Sequence, residues 1–311
     1  MVWLPERSRY GVPIVTIPVA GVSGMWTVSS AQRADVADYW TAERMQNARP
    51  AERTINADGS VSKSAAAPLP WASQEVTTPY TNAPTRTHGK VFFTLGGVDY
   101  VCSGTALLST NKSVVWTAGH CVNEGPGDFA TNWEFVPAYK DGSAPSGVYV
   151  ASNLFTSSAW GNSGDFSYDV GAAVVSPSGG TALTDRVGGR GISFNYNRSQ
   201  NYVSYGYPAA PPFTGERLWT CNSPLQTSDN SASPPTMGIG CDMTGGSSGG
   251  GWIVGGNLYS VNSYGYSNQP DTCSGPTSTA WRRAFTTPPR RTDLTSVRAA
   301  PTAAHTTAPP S

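Results

Sequence analysis

The feature that most constrains this chain is a succession of short β-branched and aromatic runs cut by glycine and proline. Lys90-Val91-Phe92-Phe93-Thr94-Leu95 turns at Gly96-Gly97 and resumes as Val98-Asp99-Tyr100-Val101-Cys102, the pattern of a hairpin with a two-residue turn. Further short runs follow at 133–139, 147–154, 169–175, 191–195, 201–207, 216–221, 251–254 and 258–263. With 34 Gly and 25 Pro to supply turns, this spacing predicts an all-β barrel or sandwich rather than a helical fold. The break at Pro177-Ser178-Gly179-Gly180 divides the domain into two halves, and no internal repeat crosses it.

Charge excludes some partners. Lys plus Arg and Asp plus Glu are 20 each, and charged residues make up only 13% of the chain, so there is no electrostatic case for nucleic acid or an anionic membrane. No stretch is long and apolar enough to span a bilayer. Five cysteines among small polar residues point instead to an exported protein in oxidising surroundings, with one thiol left over. The start is a poor export signal: Arg7 and Arg9 precede an apolar run, Val12 to Val22, that Pro13 and Pro18 interrupt. Either the true start lies elsewhere or the segment has another role. An amphipathic helix is expected from about Arg33 to Ala48, ended by Pro50, and a Ser/Ala/Thr/Pro-rich linker from Asp58 to Thr85. We therefore read 1–86 as a degenerate export signal and pro-segment, the alternative being a flexible arm, and neither gives it chemistry. The globular domain is expected over 87–272. From 273 to 311 Thr, Pro, Ala and Arg replace the strand texture, which predicts a disordered tail and a free Cys273.

Three stretches could carry chemistry. Ser113-Val114-Val115-Trp116 reads as a buried strand that delivers His120, in Thr117-Ala118-Gly119-His120-Cys121, to a strand end, where Cys121 can tie the loop to Cys102. A core histidine beside a structural cysteine is the plainer alternative. Asp169 heads the apolar run Val170-Gly171-Ala172-Ala173-Val174-Val175, whereas Asp141, Asp165 and Asp185 read as exposed turn residues. Gly245-Gly246-Ser247-Ser248-Gly249-Gly250-Gly251 follows Cys241 and runs into the apolar Trp252-Ile253-Val254, which argues against a flexible linker. A serine nucleophile needs a base, a carboxylate to hold that base in one tautomer, and N–H donors for the oxyanion. These stretches can supply all of them.

Cys102-Ser103-Gly104-Thr105-Ala106-Leu107-Leu108, Thr117-Ala118-Gly119-His120-Cys121, Tyr168-Asp169-Val170 and Gly246-Ser247-Ser248-Gly249-Gly250 together resemble the trypsin-like serine protease superfamily over roughly residues 88–272. The order His120, Asp169, Ser248, with spacings of 49 and 79, is that family's, and differs from the α/β-hydrolase and subtilisin orders. The resemblance implies two six-stranded antiparallel β-barrels with the active site in the cleft between them. It implies peptide-bond hydrolysis through an acyl-enzyme by a secreted, monomeric zymogen acting on protein or peptide substrates. In this register His120 is general base then acid, Asp169 orients it, Ser248 attacks, and the Gly246 and Ser248 N–H groups form the oxyanion hole. Ser247 is the rival nucleophile, but choosing it would put a serine where the motif has its first following glycine. A non-catalytic binding protein of the same fold and an esterase-like hydrolase are the competing functions.

Departures narrow the likeness. Ser247 stands where many animal members carry the aspartate that pairs with a freed N-terminal amine, so the chain looks closest to secreted bacterial members, including the glutamyl endopeptidase type. The pocket wall Val261-Asn262-Ser263-Tyr264-Gly265 lacks the histidine of glutamate-specific enzymes. Ser263 and Gly265 are expected to bind substrate. Asp242, six residues before Ser248, is at the offset of a basic-specific acid, which predicts cleavage after Arg or Lys. Its alternative role is a bond within its own loop. Disulfides are expected at Cys102–Cys121 and Cys221–Cys241. The three histidines at 88, 120 and 305 form no Cys/His cluster with ligand spacing, so no metal or other cofactor is expected.

Overall fold

The Gly96-Gly97 turn sets the first hairpin. Both glycines have positive φ, as a two-residue turn matching strand twist requires, and they join β1 (His88–Leu95) to β2 (Val98–Leu107) in antiparallel register. The computed structural model describes residues 24–56, 58–62, 72–267 and 269–277. The expected signal before residue 24, much of the linker, and the tail after residue 277 lie outside them.

The first half of the domain adds β3 (Val114–Thr117), β4 (Thr131–Pro137), β5 (Tyr149–Thr156) and β6 (Gly171–Val175). Pairing runs β1–β2–β3–β6–β5–β4, and β4 pairs back with β1. This is a closed six-stranded antiparallel barrel, which leaves no edge in the cycle. Val91, Phe93, Val115, Phe135 and Leu154 fill its interior.

The second half supplies β7 (Asn201–Gly206), β8 (Trp219–Asp229), β9 (Thr236–Gly240), β10 (Gly251–Val254), β11 (Asn257–Val261), β12 (Tyr264–Tyr266) and β13 (Gln269–Gly275). The order is β11–β10–β7–β8–β9–β13–β12. At Asn262-Ser263 the chain leaves β10 for β13: the Asn262 N–H donates to Gly250 O and the Ser263 N–H to Ser274 O. The run expected at 258–263 is therefore one strand split between two neighbours, and this switch carries the chain from the β10 side of the second sheet to its β13 side.

Three sequence expectations differ from the structure. β9 does not show in the sequence because it is only five residues long and two of them are glycine, which is a poor strand former and leaves too short a pattern to read. β13 continues through Cys273, past the expected end of the strand texture at 272. The single helix expected over 33–48 is two, α1 (Ser30–Tyr39) and α2 (Ala42–Asn47). Thr41 starts the second by accepting the Arg44 N–H, while Trp40 between them turns its indole inward to donate to Asn132 O at 2.6 Å.

Both predicted disulfides are present, Cys102–Cys121 within the first barrel and Cys221–Cys241 within the second, and Cys273 is a buried free thiol. Residues 24–27 pair with β5, and Val36 and Trp40 of the helical segment pack on Phe92, on the outer face of β1. Every residue of β1 is consequently buried. Lys90 on that face pairs with Glu216 and lies over the Phe92 and Tyr139 rings.

Glu134 of β4 is 1% exposed and its Oε1 lacks a partner. Burial pushes its carboxyl up to about 8. A carboxyl raised on folding contributes stability fully below its ordinary range and loses it as pH climbs toward the raised value. Glu134→Gln, neutral at all pH, should match wild type near pH 4 and exceed it at pH 9 by about 5 kcal/mol. Denaturant melts at the two pH values check this, and parallel wild-type and variant curves would contradict it.

Candidate active site

β3 ends at Thr117, and the next turn is a short 3₁₀ helix, Gly119–Cys121, that carries His120 into the space between the barrels. Asp169 caps a second 3₁₀ turn, Phe166–Tyr168, just before β6. Because β3 and β6 are paired, the two residues meet. Asp169 Oδ1 accepts the His120 backbone N–H at 2.8 Å, and Oδ2 lies 2.8 Å from Nδ1. Ser263 Oγ donates to the same Oδ2. Burial alone would raise the Asp169 carboxyl, but the His120 charge and hydrogen bond, with the Ser263 hydroxyl and the His120 amide, outweigh it and hold the group below the usual carboxylate range. A carboxylate at Nδ1 places the proton there and leaves Nε2 as the acceptor. Nε2 is buried and has no hydrogen-bond partner among the described residues.

Ser248 sits in the loop before β10. Its backbone oxygen accepts the Ser103 N–H at 2.7 Å, and Ser103 Oγ donates to Gly246 O at 2.9 Å. Ser103 O accepts from Thr117 Oγ1 at 2.8 Å, and Ser103 Oγ accepts the Tyr207 N–H at 2.8 Å. One residue of β2 thus ties the histidine loop and the Ser248 loop to the second barrel. Gly249 has φ +80°, and a Cβ there would overlap Thr117 and the Ser103 carbonyl. Ser247 packs against Gly206 of β7, and its carbonyl accepts from Gly250 and from the Asn262 side chain. Ser248 faces the cleft instead.

The cleft holds part of the chain itself. The Ala51 carbonyl accepts from the Gly246 N–H at 3.2 Å and from Ser248 Oγ at 2.9 Å. Beside it lies a pocket lined by Met243, Thr244, Ser263, Tyr264, Gly265 and Thr272, with Glu52 at its mouth and a free volume of about 90 Å³. Burial raises the Glu52 carboxyl to about 7 although it accepts the Gly245 N–H. Asp242, expected in this pocket, does not line it: its Oδ1 accepts the Ser73 N–H at 2.7 Å. The exposed-turn reading holds for Asp141 and Asp185, which pair at the surface with Arg217 and Lys112.

Sequence reasoning missed Ala51, Glu52, Ser103 and Asn262. Asn262 accepts from the Trp252 indole and from Ser204 while donating to Ser247 O, so it braces the Ser248 loop from behind. Cys102, Cys121 and His120 form the one cluster of metal-ligand atoms among the described residues, but its two sulfurs are joined in the disulfide.

Gly249→Ala should cost about 3 kcal/mol or more, since it combines a left-handed backbone with a clash against a second segment. A thermal melt within a degree of wild type would contradict it.

No protein-family model and no curated protein sequence matches the chain. Solved structures do. The protease Anisep from Arthrobacter nicotinovorans is 45% identical over 68% of this chain and 97% of its own, with a TM-score of 0.64. A thermostable serine protease, AL20, from an extremophilic microorganism is 43% identical over 66% and 97%, with a TM-score of 0.61. A Glu endopeptidase in complex with MPD shares the fold at 23% identity, over 68% and 94%, with a TM-score of 0.56.

Proposed function

We propose, from the premise that this chain belongs to the trypsin-like serine protease superfamily of chymotrypsin fold, that it is a secreted serine endopeptidase working through His120, Asp169 and Ser248. The observation that carries the reading is the hydrogen-bonded Asp169–His120 pair, with His120 lining the same space as Ala51, whose carbonyl accepts the Ser248 hydroxyl. Ser248 Oγ attacks the scissile carbonyl and passes its proton to His120 Nε2. Asp169 holds the imidazole in the receiving tautomer and stabilises the imidazolium. The Gly246 and Ser248 N–H groups take up the oxyanion, and the imidazolium then protonates the leaving amine. Water, activated by the same histidine, releases the acyl group. Secretion agrees with the two disulfides, which persist in oxidising surroundings.

The pocket that receives the residue before the scissile bond is the one walled by Ser263 and Gly265. Apart from Glu52 and Arg53 of the N-terminal segment, no charged side chain among the described residues lines it. We therefore assign it an uncharged side chain of modest size. Among the described residues a buried Lys or Arg would find no carboxylate of the protease domain there, because Asp242 is engaged by Ser73. Cleavage-site profiling on a peptide library checks this. Dominant cleavage after Arg or Lys that Asp242→Ser removes would restore the basic preference.

Ser248→Ala should lower kcat on the order of 10⁴ to 10⁶-fold and abolish labelling by a fluorophosphonate, since the three residues act as a unit. Ser247→Ala should retain most activity. The reverse ranking would move the nucleophile to Ser247, and normal hydrolysis by both would refute the serine mechanism.

A further inference from the structure

The peptide lying in the cleft is residues 49–55 of this same chain, and it is held along its length. Arg49-Pro50 pair in parallel with Tyr100-Val101 of β2. The Ala51 N–H donates to Val101 O at 3.0 Å, and the Ala51 carbonyl takes the Gly246 N–H and the Ser248 hydroxyl. Thr54-Ile55 then pair in parallel with Gly265-Tyr266 of β12, where the Gly265 N–H donates to Arg53 O at 2.9 Å and the Ser267 N–H to Ile55 O at 3.0 Å. The segment therefore bridges both walls of the cleft, one from each barrel.

Its direction matters. In a substrate, the residue that supplies the carbonyl to the oxyanion donors also puts its own side chain into the pocket walled by Ser263 and Gly265. Here Ala51 supplies the carbonyl, but its side chain lies with Phe93, Leu95 and Tyr100 on the opposite side. Glu52, the residue after the carbonyl, occupies the pocket mouth against Gly245. The segment thus runs opposite to a substrate, and its leaving-group side fills the space meant for the acyl side. Ser248 Oγ donates to the carbonyl oxygen rather than to His120, and Nε2 is left buried without a donor. The proton path on which attack depends is interrupted.

We propose that residues 49–55 are an autoinhibitory strap that fills the oxyanion hole and the substrate pocket in the non-cleavable direction, so that the enzyme works only once the strap is displaced. The proposal rests on the serine-protease reading of the site. The anchor of the strap lies upstream: Trp40 is 5.4 Å from the Phe92 ring, Tyr39 OH donates to Asp99, and Arg44 pairs with Asp99 at 3.1 Å. Tethering makes the occupant intramolecular, at an effective concentration that a free peptide substrate does not match. Several weak backbone bonds then suffice to hold the cleft shut.

The test uses the full chain, shown uncut by intact mass. Fluorophosphonate labelling rates at Ser248 are compared among wild type, Ala51→Glu and Trp40→Ala, with hydrogen exchange followed at the Ala51, Gly246 and Gly265 amides. Ala51→Glu forces a carboxylate against Phe93 and Leu95, and Trp40→Ala loosens the anchor without changing a cleft residue. We expect slow labelling and protected amides in wild type, and at least tenfold faster labelling with lost protection in either variant. Trp40→Ala alone decides the matter if Ala51→Glu does not fold. Wild-type labelling as fast as that of a variant with lost protection would overturn the strap while leaving the serine mechanism standing. Unprotected Ala51 and Gly265 amides in wild type would also overturn it. Failure of all three chains to label would refute the serine-protease reading, and the strap's inhibitory role with it.

Discussion

Ser103 is the contact on which the site depends. It stands one residue after Cys102, so the disulfide to Cys121 fixes its position relative to the histidine loop. From there its N–H, carbonyl and hydroxyl reach Ser248, Thr117, Gly246 and Tyr207. All of these bonds are buried, where a lost partner costs about 1–3 kcal/mol, and all but the one to Thr117 cross from one barrel to the other. Two independent barrels packed face to face could slide by an ångström. A single residue that exhausts its hydrogen-bonding capacity on both sides removes that freedom and fixes the Ser248 loop relative to the histidine loop.

The same economy explains Asp169. A carboxylate at 0% exposure survives only because the His120 amide and imidazole and the Ser263 hydroxyl all turn toward it. Ser263 can do so because the chain switches between sheet neighbours at that point. The break in the β11/β12 strand therefore carries the chain between two neighbours of the second sheet and delivers a donor to the first barrel's Asp169.

What could be read from the sequence was whatever is encoded by local pattern. The β1–β2 hairpin, the strand leading to His120, the acid at the head of β6 and the glycine-rich loop at Ser248 each combine a side-chain period with turn chemistry, and each appears where the pattern put it. Features made by the backbone, or by residues distant in sequence, could not be read. β9 is five residues long with two glycines, too short and too poor in strand-forming side chains to stand out. Residues 49–55 bind the cleft almost wholly through main-chain atoms, in strands of two residues, too short for any period. Asp242 has the right offset for a pocket acid, yet its direction is set by the backbone of Ser73, which no local pattern announces.

The packing of Val36 and Trp40 on Phe92 also bears on how such a molecule would mature. β1 is a barrel strand with apolar side chains on both faces, and its outer face is covered by the helical segment that leads to residues 49–55. Cutting the backbone downstream of Ile55 breaks a covalent bond but leaves that cover in place, because burial of Trp40 and Val36 does not depend on chain continuity. If residues 49–55 act as the proposed strap, the nicked species would be a non-covalent assembly of two chains, and its rate of gaining activity would be set by dissociation, and hence by dilution and by digestion of the smaller chain, rather than by the cut. Departure of that chain would lay bare Phe92, so the mature surface would carry an aromatic patch that the precursor conceals.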